Sequence, residues 1–201
     1  MSSSPATEQR LSVIVPVKRL GAAKTRTHLP AAQREELALD LMTRTITAAL
    51  AATSVARVIV VAGDSTVEAA AQSLGAVALA EPSGAGLNGA LAAGREFAQN
   101  RFGDDIAIVV GDLADLTADD LDAVIAEYAR TGEPLIVPDH LGTGTTMLIH
   151  ERASSPPLLF GADSAARHQA AGYRPFAAAP ASARRDVDDP SDVELLSRAS
   201  R

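Results

Sequence analysis

Ile106-Ala107-Ile108-Val109-Val110-Gly111-Asp112-Leu113 decides how this chain folds. Five apolar residues in succession read as a strand buried on both faces, the kind found inside parallel sheets. The Gly and the carboxylate that follow stand at the strand's carboxyl end. Open α/β sheets bind their ligands along that edge. A carboxylate placed there suits Mg²⁺ held against nucleotide phosphates, because Mg²⁺ takes a few hard oxygens and keeps several waters. The same Asp112 could equally cap the helix that follows.

Strand-like and helix-like segments alternate on both sides of this stretch. Residues 11–17, 57–62 and 77–80 read as three earlier strands. Between them, Leu37, Leu41, Ile46 and Leu50 recur at helical spacing within residues 31–52. Ser65-Thr66-Val67-Glu68 is a capping-box pattern that opens a second helix, and Gly75 ends it. Residues 87–101 form a third helix with Leu91 and Phe97 inward. Thr117-Ala118-Asp119-Asp120 starts a helix that reaches about residue 130, and strands follow at 135–137 and 146–150. Residues 160–164 form a loop before a short helix at 165–170. Asp189 caps a terminal helix with Pro190 at its first position. This alternation predicts an α/β fold, a mostly parallel sheet flanked by helices. Residues 11–201 read as a single domain, and residues 1–10 as a disordered tail.

Composition narrows the function. At 201 residues and 47% hydrophobic content, the chain can bury a sizeable core. Only 3% is aromatic, so Ala, Val, Leu and Ile must build that core. The absence of Cys excludes disulfides, a thiolate nucleophile and Cys-based zinc sites. The four His residues show no metal-ligand spacing. A net charge of −7 argues against general nucleic-acid binding. No apolar stretch approaches the roughly 20 residues that span a bilayer. The N-terminus lacks the charged start and apolar middle of a signal peptide. The expected location is therefore cytoplasmic, with no membrane partner.

Within this acidic chain, the loop after the first strand is basic. Lys18, Arg19, Lys24 and Arg26 fall within nine residues. Such a loop can wrap a triphosphate, with Lys as point charge and Arg as fork. It has neither the spacing of a P-loop nor that of a dinucleotide fingerprint. Far down the chain, Asp186-Val187-Asp188-Asp189 supplies a second carboxylate group. Asp188, brought beside Asp112, would complete a site for one or two Mg²⁺ ions. Asp186 is the weaker candidate, and Asp189 reads as a cap. Asn88, at the start of a helix, suits contact with a base or ribose, or simply an N-cap. Gly142-Thr143-Gly144-Thr145 and Gly161-Ala162-Asp163-Ser164 offer hydroxyls and backbone N–H groups to a phosphate or carboxylate. Together they suggest a second anionic substrate besides the nucleotide. Arg167 and His168, just beyond, read as surface residues, with assistance to that anion site as the alternative.

These segments occur in a characteristic order. They run from Val15-Pro16-Val17-Lys18-Arg19-Leu20 and Ala23-Lys24-Thr25-Arg26, through Leu87-Asn88-Gly89-Ala90-Leu91 and Gly111-Asp112-Leu113. Then come Asp139-His140-Leu141-Gly142-Thr143-Gly144-Thr145, Phe160-Gly161-Ala162-Asp163-Ser164 and Asp186-Val187-Asp188. On them the chain resembles the phosphoenolpyruvate or 2-phospho-L-lactate guanylyltransferases of coenzyme F420 biosynthesis. The Ala-rich composition looks like that of an actinobacterial member, for which phosphoenolpyruvate is the expected acceptor. The resemblance implies a glycosyltransferase-A-like nucleotidyltransferase fold. It implies the reaction of GTP with phosphoenolpyruvate, giving enolpyruvyl-diphospho-5'-guanosine and pyrophosphate; 2-phospho-L-lactate is the alternative acceptor. By the same resemblance Asp112 and Asp188 hold Mg²⁺, and Lys18, Lys24 and Arg26 hold the GTP phosphates. These five would be the catalytic set. Thr145, Gly161 and Ser164 would bind phosphoenolpyruvate, and Asn88 would face the nucleoside. A transferase that consumes the activated product is the implied downstream partner. Ala114 and Thr27-His28-Leu29 depart from the family's usual residues. Molybdopterin and sugar-phosphate nucleotidyltransferases favour a Gly-rich first loop, where this chain has Pro16-Val17-Lys18-Arg19-Leu20. A non-catalytic GTP-binding module is the alternative of another class. The oligomeric state stays open.

Overall fold

The computed structural model describes residues 10–199, and within them all side chains except those of Arg26 and residues 195–199. Seven strands are present among these residues: β1 (Leu11–Val17), β2 (Val55–Ala62), β3 (Val77–Ala80), β4 (Asp105–Val109), β5 (Leu135–Pro138), β6 (Thr145–His150) and β7 (Arg174–Pro175). They form one sheet in the order β3-β2-β1-β4-β6-β5-β7. All neighbours run parallel except β6, which is antiparallel to both β4 and β5. Six residues join β5 to β6. A parallel return needs a crossover of a dozen or more, so this connection can only be a hairpin.

Among the described residues six α-helices flank the sheet: α1 (Ala31–Ala51), α2 (Ser65–Ser73), α3 (Gly86–Arg101), α4 (Ala118–Thr131), α5 (Ser164–Ala170) and α6 (Pro190–Ala199). Alternation along β1 divides the core. Val13 and Val15 share a cluster with Met42 and Ile46 of α1, Val67 of α2 and Leu121 of α4. Ile14 points the other way, to Leu91 of α3 and Ala165 of α5. Phe97 packs half-buried against that second cluster, as its helical position predicts.

The chain builds outward from β1 to β2 and β3, then returns through α3 to place β4 on the other side of β1. The strand order therefore reverses between β1 and β4, and the loops leaving their carboxyl ends diverge to open a crevice.

The cap of α2 differs from the expected box. Asp64, not Ser65, is the N-cap; its carboxylate accepts from the backbone N–H of Thr66 and Val67, both at 3.0 Å. The other oxygen accepts from Leu20 N at 2.9 Å, which ties the loop after β1 to the start of α2. Partial burial disfavours the charge, but these N–H bonds outweigh it and hold the Asp64 carboxyl below the usual carboxylate range. Asp189 caps α6 as expected, accepting from Ser191 N at 2.8 Å and Asp192 N at 3.2 Å.

Away from the crevice, Asp122 on α4 accepts from Thr53 N at 2.9 Å, Thr53 Oγ1 at 2.8 Å and Ser54 N at 2.9 Å. It thereby clips the α1–β2 turn to α4. Asp122→Ala should cost about 2 kcal/mol, since hydrogen bonds to a charged acceptor are lost. A lower urea midpoint with turnover unchanged is the expected result.

Candidate active site

Lys18 and Arg19 leave β1 across Gly63. A Cβ on Gly63 would lie 2.2 Å from Arg19 N, so only Gly lets the two backbones meet here. The loop then turns at Lys24, which has a left-handed φ of 52°. That turn carries the Lys24 side chain back over the end of β4. Its ammonium donates to Asp112 Oδ2 and, at 2.5 Å, to the carbonyl of Val187. Asp188 Oδ1 lies 3.8 Å away. The Lys24 side chain is 9% exposed, against 22% for Asp112 and 45% for Asp188.

Main-chain bonds hold the two acidic segments together. Val187 N donates to the Asp112 carbonyl at 3.2 Å. On the other side, Leu113 N donates to Thr45 Oγ1 of α1 at 3.1 Å. Asp186 joins this group. Burial, reinforced by the neighbouring Asp112 and Asp188 charges, pushes its carboxyl up to about 7. Two carboxylates, Asp112 and Asp188, thus share the Lys24 ammonium, and Asp186 lies within their field. Among the described residues no cluster of three or more His, Cys, Asp or Glu is arranged around a single point as a ready metal cage. Asp112 and Asp188 nevertheless both face one cation, the Lys24 ammonium. Two carboxylates are the number that Mg²⁺ uses when substrate phosphates complete its shell.

The opposite wall comes from β6 and the loops beside it. The Asp139 carboxylate accepts from Thr143 N at 2.9 Å and Gly144 N at 2.8 Å, shaping the turn that delivers Thr145. Gly161 has φ 122°, a conformation that favours Gly, and the chain then enters α5 at Ser164. Ser164 Oγ and Thr145 Oγ1 are 3.0 Å apart, and both residues are buried.

A cavity of about 610 Å³ separates the walls. Lys18, Lys24, Asp112, Asp188, Thr145, Gly161 and Ser164 all line it. A smaller cavity of about 300 Å³ adjoins it across Lys18, walled by Arg19, Glu81, Ser83 and Gly84.

Two expectations meet a different outcome. Asn88 lines neither cavity. Its amide donates to the Phe160 carbonyl at 3.1 Å and accepts from Phe160 N at 2.9 Å. Both ends of the side chain are engaged, so Asn88 holds the 160–164 loop rather than facing a nucleoside. His168 is not a surface residue but wholly buried. It lies four residues after Ser164, on the same inward face of α5. Arg167 is exposed, as expected, and donates to the Leu159 carbonyl at 2.7 Å. The side chain of Arg26 and residues 1–9 of the expected tail lie outside the described residues. Asp186, Asp139, Glu81 and His168 were not foreseen as principal site residues. Only Asp186 carried a signal, its place beside Asp188.

His150 and His168 are both fully buried, and burial pushes each imidazole down to about 4. In the unfolded chain they titrate near 6.5. Between those values the unfolded state binds more protons than the folded one, so stability falls as pH drops from about 6.5 toward 4. Urea midpoints at pH 7 and pH 5 check this; the lower value is expected at pH 5.

Residues 19–182 match the MobA-like NTP transferase domain family. A nucleotidyl transferase from Methanothermobacter thermautotroptrophicus shares the fold, with a TM-score of 0.62 at 15% identity, over 94% of this chain and 97% of that one. Fold and family together define a nucleotidyltransferase. Among curated relatives, a phosphoenolpyruvate guanylyltransferase of Sphaerobacter thermophilus is 38% identical over 91% of this chain and 90% of its own length. One from Mycolicibacterium paratuberculosis is 36% identical over 94% and 87%. The chain belongs to the phosphoenolpyruvate guanylyltransferase family and carries a MobA-like NTP transferase domain. No helix among the described residues is long and apolar enough to cross a membrane.

Proposed function

We propose that the protein transfers GMP from GTP to phosphoenolpyruvate, releasing pyrophosphate and enolpyruvyl-diphospho-5'-guanosine, as a step of coenzyme F420 biosynthesis. One observation carries this reading. A single cavity has a wall of Lys18, Lys24, Asp112 and Asp188 facing a wall of Thr145, Gly161 and Ser164. The first wall suits a metal-bound triphosphate, the second a small anion bearing phosphate and carboxylate.

A phosphate oxygen of the acceptor attacks the α-phosphorus of GTP. The bond from that phosphorus to the bridging oxygen breaks, and pyrophosphate leaves with the electron pair. The acceptor phosphate is already ionised at neutral pH, so no strong base is required. Catalysis is then alignment and charge stabilisation. Mg²⁺, held by Asp112 and Asp188, would neutralise charge on the phosphates. Lys18 and Lys24 steady the triphosphate as point charges. The smaller cavity beside Lys18 suits the nucleoside, and Glu81, the one carboxylate among its lining residues, can accept from the guanine N1–H and 2-amino group.

The test is pyrophosphate release with Mg²⁺ and GTP, adding phosphoenolpyruvate or 2-phospho-L-lactate in parallel. Release with phosphoenolpyruvate alone supports the proposal. Release with 2-phospho-L-lactate alone reassigns the acceptor, and silence with both overturns the reading. Ser164→Ala should raise the KM for phosphoenolpyruvate about tenfold or more, the loss of one hydrogen bond to a charged group. The KM for GTP should stay within about twofold. Equal weakening of both substrates would count against a separate acceptor wall.

A further inference from the structure

We propose that His168 is a positioning residue that makes the Thr145–Ser164 hydroxyl pair a hydrogen-bond donor toward the acceptor anion. The inference rests on the reading of that pair as part of the acceptor wall. The geometry beneath the pair carries it. Leu159 N donates to His168 Nε2 at 2.8 Å. A nitrogen that accepts a backbone N–H carries no proton, so a neutral ring holds its proton on Nδ1. Nδ1 lies 3.0 Å from Thr145 Oγ1. Phe160 and Tyr173 pack edge-on against the imidazole, with ring centres 5.1 and 5.5 Å away, and fix its plane.

A proton count gives the consequence. Two hydroxyls bring two protons, and one of these lies in the 3.0 Å bond between Ser164 Oγ and Thr145 Oγ1. The other must point either into the imidazole or into the cavity that both residues line. Nδ1 is a donor and cannot take it. One hydroxyl proton is therefore left for the cavity, whichever way the bond between the hydroxyls runs. The opposite tautomer would draw that proton into the ring and present lone pairs to an incoming phosphate or carboxylate, which would repel it. The Leu159 N–H thus sets, through His168, the polarity of a wall that His168 never touches the substrate to form.

Three measurements test this. The ¹⁵N spectrum of the wild-type imidazole should show His168 protonated at Nδ1 and bare at Nε2. His168→Leu, which removes the donor, should raise the KM for phosphoenolpyruvate about tenfold, as one hydrogen bond to an anion is lost. Its KM for GTP should hold within about twofold. His168→Asn keeps an N–H near the Nδ1 position and should recover most of that loss. A spectrum with Nε2 protonated overturns the proposal, and it needs no variant to fold. So does an equal rise in acceptor KM for His168→Asn and His168→Leu, or a parallel rise in both substrates' KM, because either marks a merely structural role. Thr145→Val separates this inference from its premise. If it leaves the acceptor KM unchanged, the acceptor wall itself is misread. If it raises that KM while His168→Leu does not, only the role of His168 fails.

Discussion

Asp112→Ala is expected to abolish turnover, by about 10³-fold or more in kcat, while the fold survives. The magnitude follows from removing a group that stabilises charge in a preorganised site. Survival of the fold follows from how the turn is held. Leu113 N bonds Thr45 Oγ1, and Val187 N bonds the Asp112 carbonyl, so neither contact uses the Asp112 side chain. The Lys24 ammonium left behind keeps the Val187 carbonyl at 2.5 Å and Asp188 at 3.8 Å, so it is not stranded as an unpaired buried charge. Single-turnover pyrophosphate release, paired with a urea midpoint, makes the measurement. Activity within tenfold of wild type, or loss of folding, would sink the assignment.

Lys24→Ala carries the second large effect. Its side chain is 9% exposed and stands among Asp112, Asp188 and the Val187 carbonyl. Removing it should lower kcat/KM for GTP by about 10²- to 10³-fold, the range for a cation that stabilises transferring phosphates. The KM for phosphoenolpyruvate should change little, since Thr145 and Ser164 stand on the opposite wall. Asp112 and Asp188 would then face each other without their shared counter-ion. Burial and the Asp112 and Asp188 charges already push the Asp186 carboxyl up to about 7, and the loss of the ammonium should lower the thermal midpoint of the nucleotide-free protein. Lys24→Arg should restore the charge but only part of the activity, because a planar fork does not replace a point charge. An unchanged kcat/KM for GTP in Lys24→Ala would remove Lys24 from the triphosphate wall.

Much of the frame was legible locally. The apolar run before Gly111-Asp112 is β4 almost to the residue, and Leu11–Val17 is β1 as read. Thr117 and Asp189 cap α4 and α6 where their side chains said they would. The box at Ser65 was misplaced by one residue because Asp64, also a strong cap, stands just before it. The antiparallel course of β6 was present in the chain as a six-residue connection, but that length speaks only once both flanking strands are known. β7, two residues long, has no periodicity to read.

The site divides along the same line. Residue type and position at a strand end or a helix start marked the loops that hold Lys18, Lys24, Asp112, Thr145, Gly161 and Ser164, the family resemblance singled those residues out, and the cavity gathers them. Asn88 shows the limit of that reasoning. Its chemistry suited a nucleoside, but its amide meets Phe160, 72 residues away in sequence. His168 shows the converse, since nothing in its neighbours announced burial under Thr145.

What the sequence determined by itself was the alternation of buried strands and amphipathic helices, and the chemical kind of each loop at the sheet's edge. Hydrophobic period and capping chemistry act over a few residues, so a few residues suffice to read them. The tertiary structure alone decided which loops meet. Lys24 reaches Asp112 across 88 residues and Val187 across 163. It also decided which polar groups face the cavity and which are consumed holding it, as with Lys24 against Asn88. Those choices depend on strand order and on where each buried donor finds its acceptor, and both are properties of the whole packed chain.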